Sequence, residues 1–135
     1  DRFGYLLGLA FQITDDVLNL SGDEARYGKE IDGDLWEGKR TLVLTHALSH
    51  ASRAERDWMS NFLSRPRERR LPREVFRMHD IVAGTGSIDW ARQSALALAD
   101  AAAREFDLSA FAGVAPSPDL GWLRASVGYL VQRDS

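Results

Sequence analysis

Cysteine is absent from all 135 residues, which excludes disulfides, thiolate zinc sites and a thiol nucleophile. A chain of this kind suits a reducing compartment, and a cytoplasmic location is expected. Proline is scarce: its four residues fall at 66, 72, 116 and 118, leaving long stretches without a helix breaker. No apolar run approaches the roughly 18 residues that a membrane-spanning helix needs. The first residues do not have the form of a signal peptide. No segment alternates apolar and polar residues with period two between turn signals, so strands are not expected. Charge of one sign is not in large excess. Seventeen basic and 20 acidic side chains give a net charge of −3, which offers no reason to expect a nucleic-acid partner. A hydrophobic content of 44% in a chain of this length permits one domain with a real core.

What is present reads as helix throughout. Apolar spacing predicts a helix over 2–20, stopped at Ser21-Gly22. Thr41 opens a second helix with a stripe of Leu42, Leu44, Thr45, Leu48 and Ala51. Ser52 caps a third, with Glu55 completing a capping box and Trp58, Met59, Phe62 and Leu63 on its apolar side. Residues 64–73 hold five arginines and two prolines and predict a loop. Two readings of that loop are open, an anionic surface site or a solvated connection. Pro72 suits the first turn of a helix through Val75, Phe76, Met78, Ile81 and Val82. The stretch from Gly84 to Ser87 breaks it, and lacks the lysine ending and preceding strand of a phosphate loop. Ser87 caps an alanine-rich helix that ends near Phe106, and Asp119 caps the last one, carrying Leu120, Leu123, Val127, Leu130 and Val131.

The organising stretch is Phe11 to Asn19. Asp15 and Asp16 are adjacent carboxylates inside an apolar helical run. Asp is a poor helix former, is seldom buried without a partner, and repels a like neighbour. At about 100° per residue, Gly4, Gly8, Gln12, Asp15, Asp16 and Asn19 share one side of the helix, opposite Phe3, Leu6, Leu7, Ala10, Ile13 and Val17. One reading is a hard-cation site at the polar end of a cavity wall, since Mg²⁺ is held by one or two carboxylates plus water and phosphates. The other is the exposed half of an amphipathic helix. Downstream, Gly28, Gly33 and Gly38 mark a turning loop that carries Lys29, Lys39 and Arg40 among Asp32, Asp34 and Glu37. Lysines beside paired carboxylates suit a diphosphate; a solvated surface loop has the same composition.

Phe11, Gln12, Asp15, Asp16, Gly22, Asp23, Gly28, Lys29, Asp34, Leu35, Glu37, Gly38, Lys39, Thr41 and Leu42 stand in one register. Together they closely resemble the second aspartate-rich region of the trans-isoprenyl diphosphate synthases, the polyprenyl synthetase family. The family pattern is Phe-Gln-x-x-Asp-Asp-x-x-Asp followed by a Gly-Asp, a Gly-Lys, an Asn-Asp-Leu and a Glu-Gly-Lys-x-Thr-Leu. The spacing of Lys29 and Lys39 is similar to the geranylgeranyl and longer-chain branch. Two positions depart: Asn19 stands where the motif ends in an acid, and Asp32-Gly33 replaces Gly-Asn.

The resemblance implies the antiparallel α-helical bundle of this family, usually a homodimer. It implies Mg²⁺-dependent, head-to-tail condensation of isopentenyl diphosphate with an allylic diphosphate. Asp15 would ligate Mg²⁺ with Asp16 and Asn19 in support, Lys29 and Lys39 would hold the diphosphate, and Gln12 and Asp34 would order the surrounding shell. Gly4 and Gly8 would border the cavity for the growing chain. Family members are about twice as long and carry an earlier aspartate-rich motif, which nothing here matches. The expectation is therefore a C-terminal part, residues 1–135, of a single polyprenyl synthetase domain, inactive alone. A non-catalytic partner subunit or a degenerate half-bundle is the alternative. The terminal Tyr129 and Arg133 are similar to the family's ending. His46 and His50, four apart on a helix, have a zinc-compatible spacing but no third ligand nearby in sequence.

Overall fold

The computed structural model describes residues 2–21, 32–111 and 113–131. These residues form helices α1 (Arg2–Ser21), α2 (Gly33–Glu37), α3 (Leu42–His50), α4 (Arg53–Leu63), α5 (Pro72–Gly84), α6 (Ser87–Glu105) and α7 (Pro118–Val131). A single 3-10 turn spans Arg67–Arg69 and a π-turn spans Phe106–Ala110. The described residues contain no strand, so the fold class is all-α.

Local chemistry sets most helix starts. The Thr41 hydroxyl accepts the Leu44 N–H at 3.2 Å, capping α3. Ser52 and Glu55 form the expected capping box at α4, with Ser52 N–H donating to Glu55 at 2.9 Å. Pro72 occupies the first turn of α5, where its missing N–H costs nothing. Four expectations are corrected. The cap of α7 is Ser117, whose hydroxyl accepts the Leu120 N–H at 3.2 Å, with Asp119 inside the first turn. Ser87 also lies inside its helix, and its buried hydroxyl faces His46 Nδ1 at 2.9 Å and Thr85 Oγ1 at 2.7 Å. Phe76 is 66% exposed, because it sits about 100° around α5 from Val75 and off the buried stripe of Val75, Met78 and Val82. The buried face of α3 is likewise rotated, to Val43, Leu44 and Ala47, leaving Leu42 exposed.

The chain forms two compact units. Unit 1 comprises Asp1–Thr14 and Arg92–Ser135, and unit 2 comprises Asp15–Ala91. Both divisions fall inside continuous helices, α1 and α6. Unit 1 has a core of small residues, Ala10, Ala99, Ala102 and Val127, flanked by Phe3, Leu6, Leu7 and Leu98. The Phe3 ring meets Phe106 edge-on at 5.3 Å. Unit 2 is organised around α5, which packs against α2, α3 and α4. Val17, Leu35, Val43, Leu44, Met59, Phe62, Met78 and Val82 are among its fully enclosed apolar side chains.

Candidate functional site

The C-terminal half of α1 carries Asp15, Asp16 and Asn19 into unit 2. Asp16 and Asn19 are buried, at 5% and 6% exposure. Burial of that kind needs partners, and the partners come from the chain around α2. Lys39 Nζ donates to Asp16 Oδ1 at 2.8 Å and to Asp34 Oδ2 at 3.1 Å. Asn19 performs a second task. Its Oδ1 accepts the Asp34 N–H at 2.9 Å, and its backbone carbonyl accepts the Asp32 N–H at 2.8 Å. Asn19 therefore ties the start of α2 to the end of α1, which an amide oxygen accomplishes without a charge.

The turn that delivers Lys39 has two left-handed positions. Asp32 precedes α2 at φ 60° and Gly38 follows it at φ 68°. A residue without a Cβ suits the second, and Asp tolerates the first better than most. Past Gly38 the chain doubles back, so the Lys39 N–H donates to the Asp34 carbonyl at 2.9 Å. Main chain and side chain of Lys39 thus both bond to Asp34.

A buried arginine lies beneath this turn. Arg70 is 6% exposed, and its guanidinium donates to the carbonyls of Leu35 and Leu63 at 3.3 Å each and to those of Trp36 and Arg65. It adds a donor to carbonyls of α2 and to those at and just beyond the end of α4, and the Leu35 carbonyl also accepts the Gly38 N–H at 3.1 Å. A Cβ on Gly38 would lie 2.9 Å from the guanidinium carbon, so Gly38 is required by fit as well as by conformation. The arginine-rich loop is therefore not a uniformly solvated connection. Arg65 forms a forked pair with Glu74 at 2.9 and 3.2 Å, and Arg70 is internal. Arg70 escaped the sequence because its acceptors are backbone carbonyls, two of them more than thirty residues away.

Electrostatics follow the geometry. Burial pushes the Asp34 carboxyl up; the Lys39 bond and charge oppose this, and the Asp16 and Asp15 charges add to it. Desolvation pulls Lys39 down, but hydrogen bonds and charges from Asp16 and Asp34 outweigh it and hold the ammonium above its ordinary value. Asp32 is pushed up by burial, opposed by His79, whose Nε2 lies 4.0 Å away. His79 donates that nitrogen's proton to the Leu20 carbonyl at 2.9 Å.

Of the residues singled out in the sequence, Asp16, Asn19, Asp34 and Lys39 come together, with half-buried Asp15 beside Asp16 on α1. Gln12 is exposed on α1 one turn earlier. Lys29 and Arg133 lie outside the described residues. Gly4 and Gly8 face open space. His46 and His50 stack on each other at 3.8 Å, and His46 stacks on Trp90 at 4.1 Å. Among the described residues, no three His, Cys, Asp or Glu side chains are grouped to hold a metal ion. The oxygen-only set around Asp16 nevertheless suits a hard cation that takes one or two carboxylates and completes its shell with water and phosphate. The Lys39 ammonium, bonded to two carboxylates at once, shows that a cation is favoured there. No helix among the described residues is long and apolar enough to cross a membrane.

Comparison with known proteins identifies the fold and the family. The octaprenyl diphosphate synthase of Escherichia coli K12 is 33% identical over 135 residues, a match covering 98% of this chain and 38% of that one. A polyprenyl synthase from Caulobacter crescentus, solved with calcium and isoprenyl diphosphate, superposes with a TM-score of 0.81 at 27% identity, over 99% of this chain and 39% of the other. The geranylgeranyl pyrophosphate synthase of Corynebacterium glutamicum, solved with isoprenyl diphosphate and magnesium, gives 0.78 at 26% identity, over 98% of this chain and 36% of the other. The chain thus spans less than two fifths of the length of these relatives. The polyprenyl synthetase family model matches residues 1–78. With more than half of its residues in that match, the chain belongs to the polyprenyl synthetase family.

Proposed function

We propose that this chain is the C-terminal portion of a single-domain, cytoplasmic, homodimeric prenyltransferase that joins isopentenyl diphosphate head to tail to an allylic diphosphate, yielding geranylgeranyl or another polyprenyl diphosphate. The observation that carries the reading is the convergence of Asp16, Asp34 and Lys39 in a member of this family. Mg²⁺, when bound, would neutralise the diphosphate that leaves with concentrated negative charge. Asp15 would be its direct ligand, supported by Asp16 and Asn19. Lys39 and Lys29 would hold diphosphate oxygens, while Gln12 and Asp34 would orient the water and side chains around the metal. The glycine face of α1 would border the space for the growing hydrocarbon.

Asn19 favours a second reading, a non-catalytic partner subunit. It stands where the family motif ends in an acid, and its side-chain oxygen is engaged by the Asp34 N–H. One assay separates the two. In the protein extended by the N-terminal region its relatives carry, Mg²⁺-dependent prenyl transfer should be present and should fall about 10²–10³-fold in Asp15→Ala, the loss typical of a removed charge-stabilising group. Activity that survives Asp15→Ala unchanged would sink the enzymatic assignment of this site.

A further inference from the structure

One ammonium group serves two carboxylates from different elements. Lys39 Nζ bridges Asp16 of α1 and Asp34 of α2. The Asp16 and Asp34 side chains are 7% and 18% exposed, whereas the Lys39 side chain is 42% exposed. The acids are therefore the fixed members of the cluster. Asp16 sits within a long helix, and Asp34 is fastened through its N–H to Asn19. Lys39 is the outer member, on a long flexible stem that reaches in from solvent.

Three carboxylates, Asp15, Asp16 and Asp34, act on this neighbourhood, and Lys39 bridges two of them. A divalent cation on Asp16 would meet the Lys39 ammonium at close range, where two positive charges in a partly buried site repel strongly. The two therefore compete for the same oxygen. The stem of Lys39 permits it to yield without disturbing the backbone, because the turn below it is held independently by Gly38 and Arg70.

We propose that Lys39 is an exchangeable counter-ion. In the metal-free site it occupies the cation position between Asp16 and Asp34. When a divalent cation takes Asp16, Lys39 swings outward and its released ammonium becomes available to diphosphate oxygens. One side chain thereby couples metal binding to anion binding, and the coupling is reciprocal: each ligand raises the affinity of the other. This inference rests on the reading of the site given under Proposed function and adds to it a binding order set by Lys39.

The test measures binding and needs no turnover. Mg²⁺ is titrated into the protein by calorimetry without any diphosphate, in wild type and in Lys39→Met. Inorganic pyrophosphate is then titrated with and without Mg²⁺. Loss of a competing cation should tighten Mg²⁺ binding in K39M about tenfold. In the same variant the gain in pyrophosphate affinity on adding Mg²⁺ should be smaller than in wild type and in Lys39→Arg, which keep the charge, leaving only what direct metal–phosphate contact gives. A Lys39 that only grips the diphosphate would leave Mg²⁺ affinity unchanged in K39M, and one that supports the metal shell would weaken it. Either result overturns the exchange while leaving the metal site standing. Failure of both wild type and K39M to bind Mg²⁺ or Mn²⁺ overturns the site assignment and this inference with it. Circular dichroism melts of both variants establish that the folded chain is being titrated, and Lys39→Gln replaces Lys39→Met if the latter does not fold.

Discussion

The two units bury different kinds of atoms. Unit 1 closes on alanines and a valine, with aromatic rings at its edge, and Thr14 is its one buried polar residue among the described positions. Thr14 returns its hydroxyl to the Ala10 carbonyl within its own helix. Unit 2 buries Asp16, Asn19, Thr41, Arg70 and Ser87, most of them bonded across elements. Buried polar groups are costly unless fully partnered. Their gathering in unit 2 marks the place where the fold gives up simple packing to hold charges in a fixed arrangement. In unit 1 the buried alanines allow close helix approach.

The largest expected effect tests this contrast through two arginines. Arg70→Met removes a buried guanidinium that donates to four carbonyls, of which the Leu35 carbonyl keeps the Gly38 N–H. A loss of about 3–5 kcal/mol is expected, read as a lower urea midpoint. Arg124→Met, in unit 1, removes an exposed pair with Asp107 and should barely move the midpoint. Equal effects from the two arginines would erase the distinction.

The same glycine substitution should have opposite signs in the two units. Gly38→Ala places a Cβ against the Arg70 guanidinium at positive φ and should cost about 2 kcal/mol. Gly8→Ala meets nothing within 4 Å inside a helix and should add about 0.5–1 kcal/mol. Thermal melts of the two variants against the parent give the comparison directly.

The smallest effect concerns pH. Hydrogen bonds from Arg65, then the Leu71 N–H, hold the Glu74 carboxyl below its ordinary value of 4.5. A depressed acid contributes stability above its unfolded-state pKa and loses it as pH falls through the folded value. Melting temperature should therefore drop more steeply below pH 4.5 in the parent than in Glu74→Gln. Parallel curves would show that the Arg65 pair contributes nothing measurable.

Much of this architecture was readable because its signals are local. Thr41, the Ser52–Glu55 box and Pro72 announce helix starts within three or four residues, and α1 has enough length for periodicity to speak. The five-residue α2 was not readable. It is too short for a period and is defined by an aspartate and a glycine in left-handed conformations. Arg70 was not readable either, since a run of arginines looks solvated until carbonyls from elsewhere in the chain are brought to it. Asp16, Asp34 and Lys39 could be nominated from their pattern, but the direct ion pairs among them depend on how Gly38 turns the chain. Asn19 was read as a weakened metal ligand; its bond to the Asp34 N–H appears only once α2 is in place.

The central claim is that Asp15, Asp16, Asp34 and Lys39 form a site for a divalent cation and a diphosphate. Its most direct test is a titration of Mn²⁺, with inorganic pyrophosphate, into the ¹⁵N-labelled protein, following paramagnetic broadening residue by residue. Broadening is expected first at Asp15 to Asn19 and Asp34 to Arg40. Broadening centred on His46 and His50, or spread evenly over surface acids, would contradict the account.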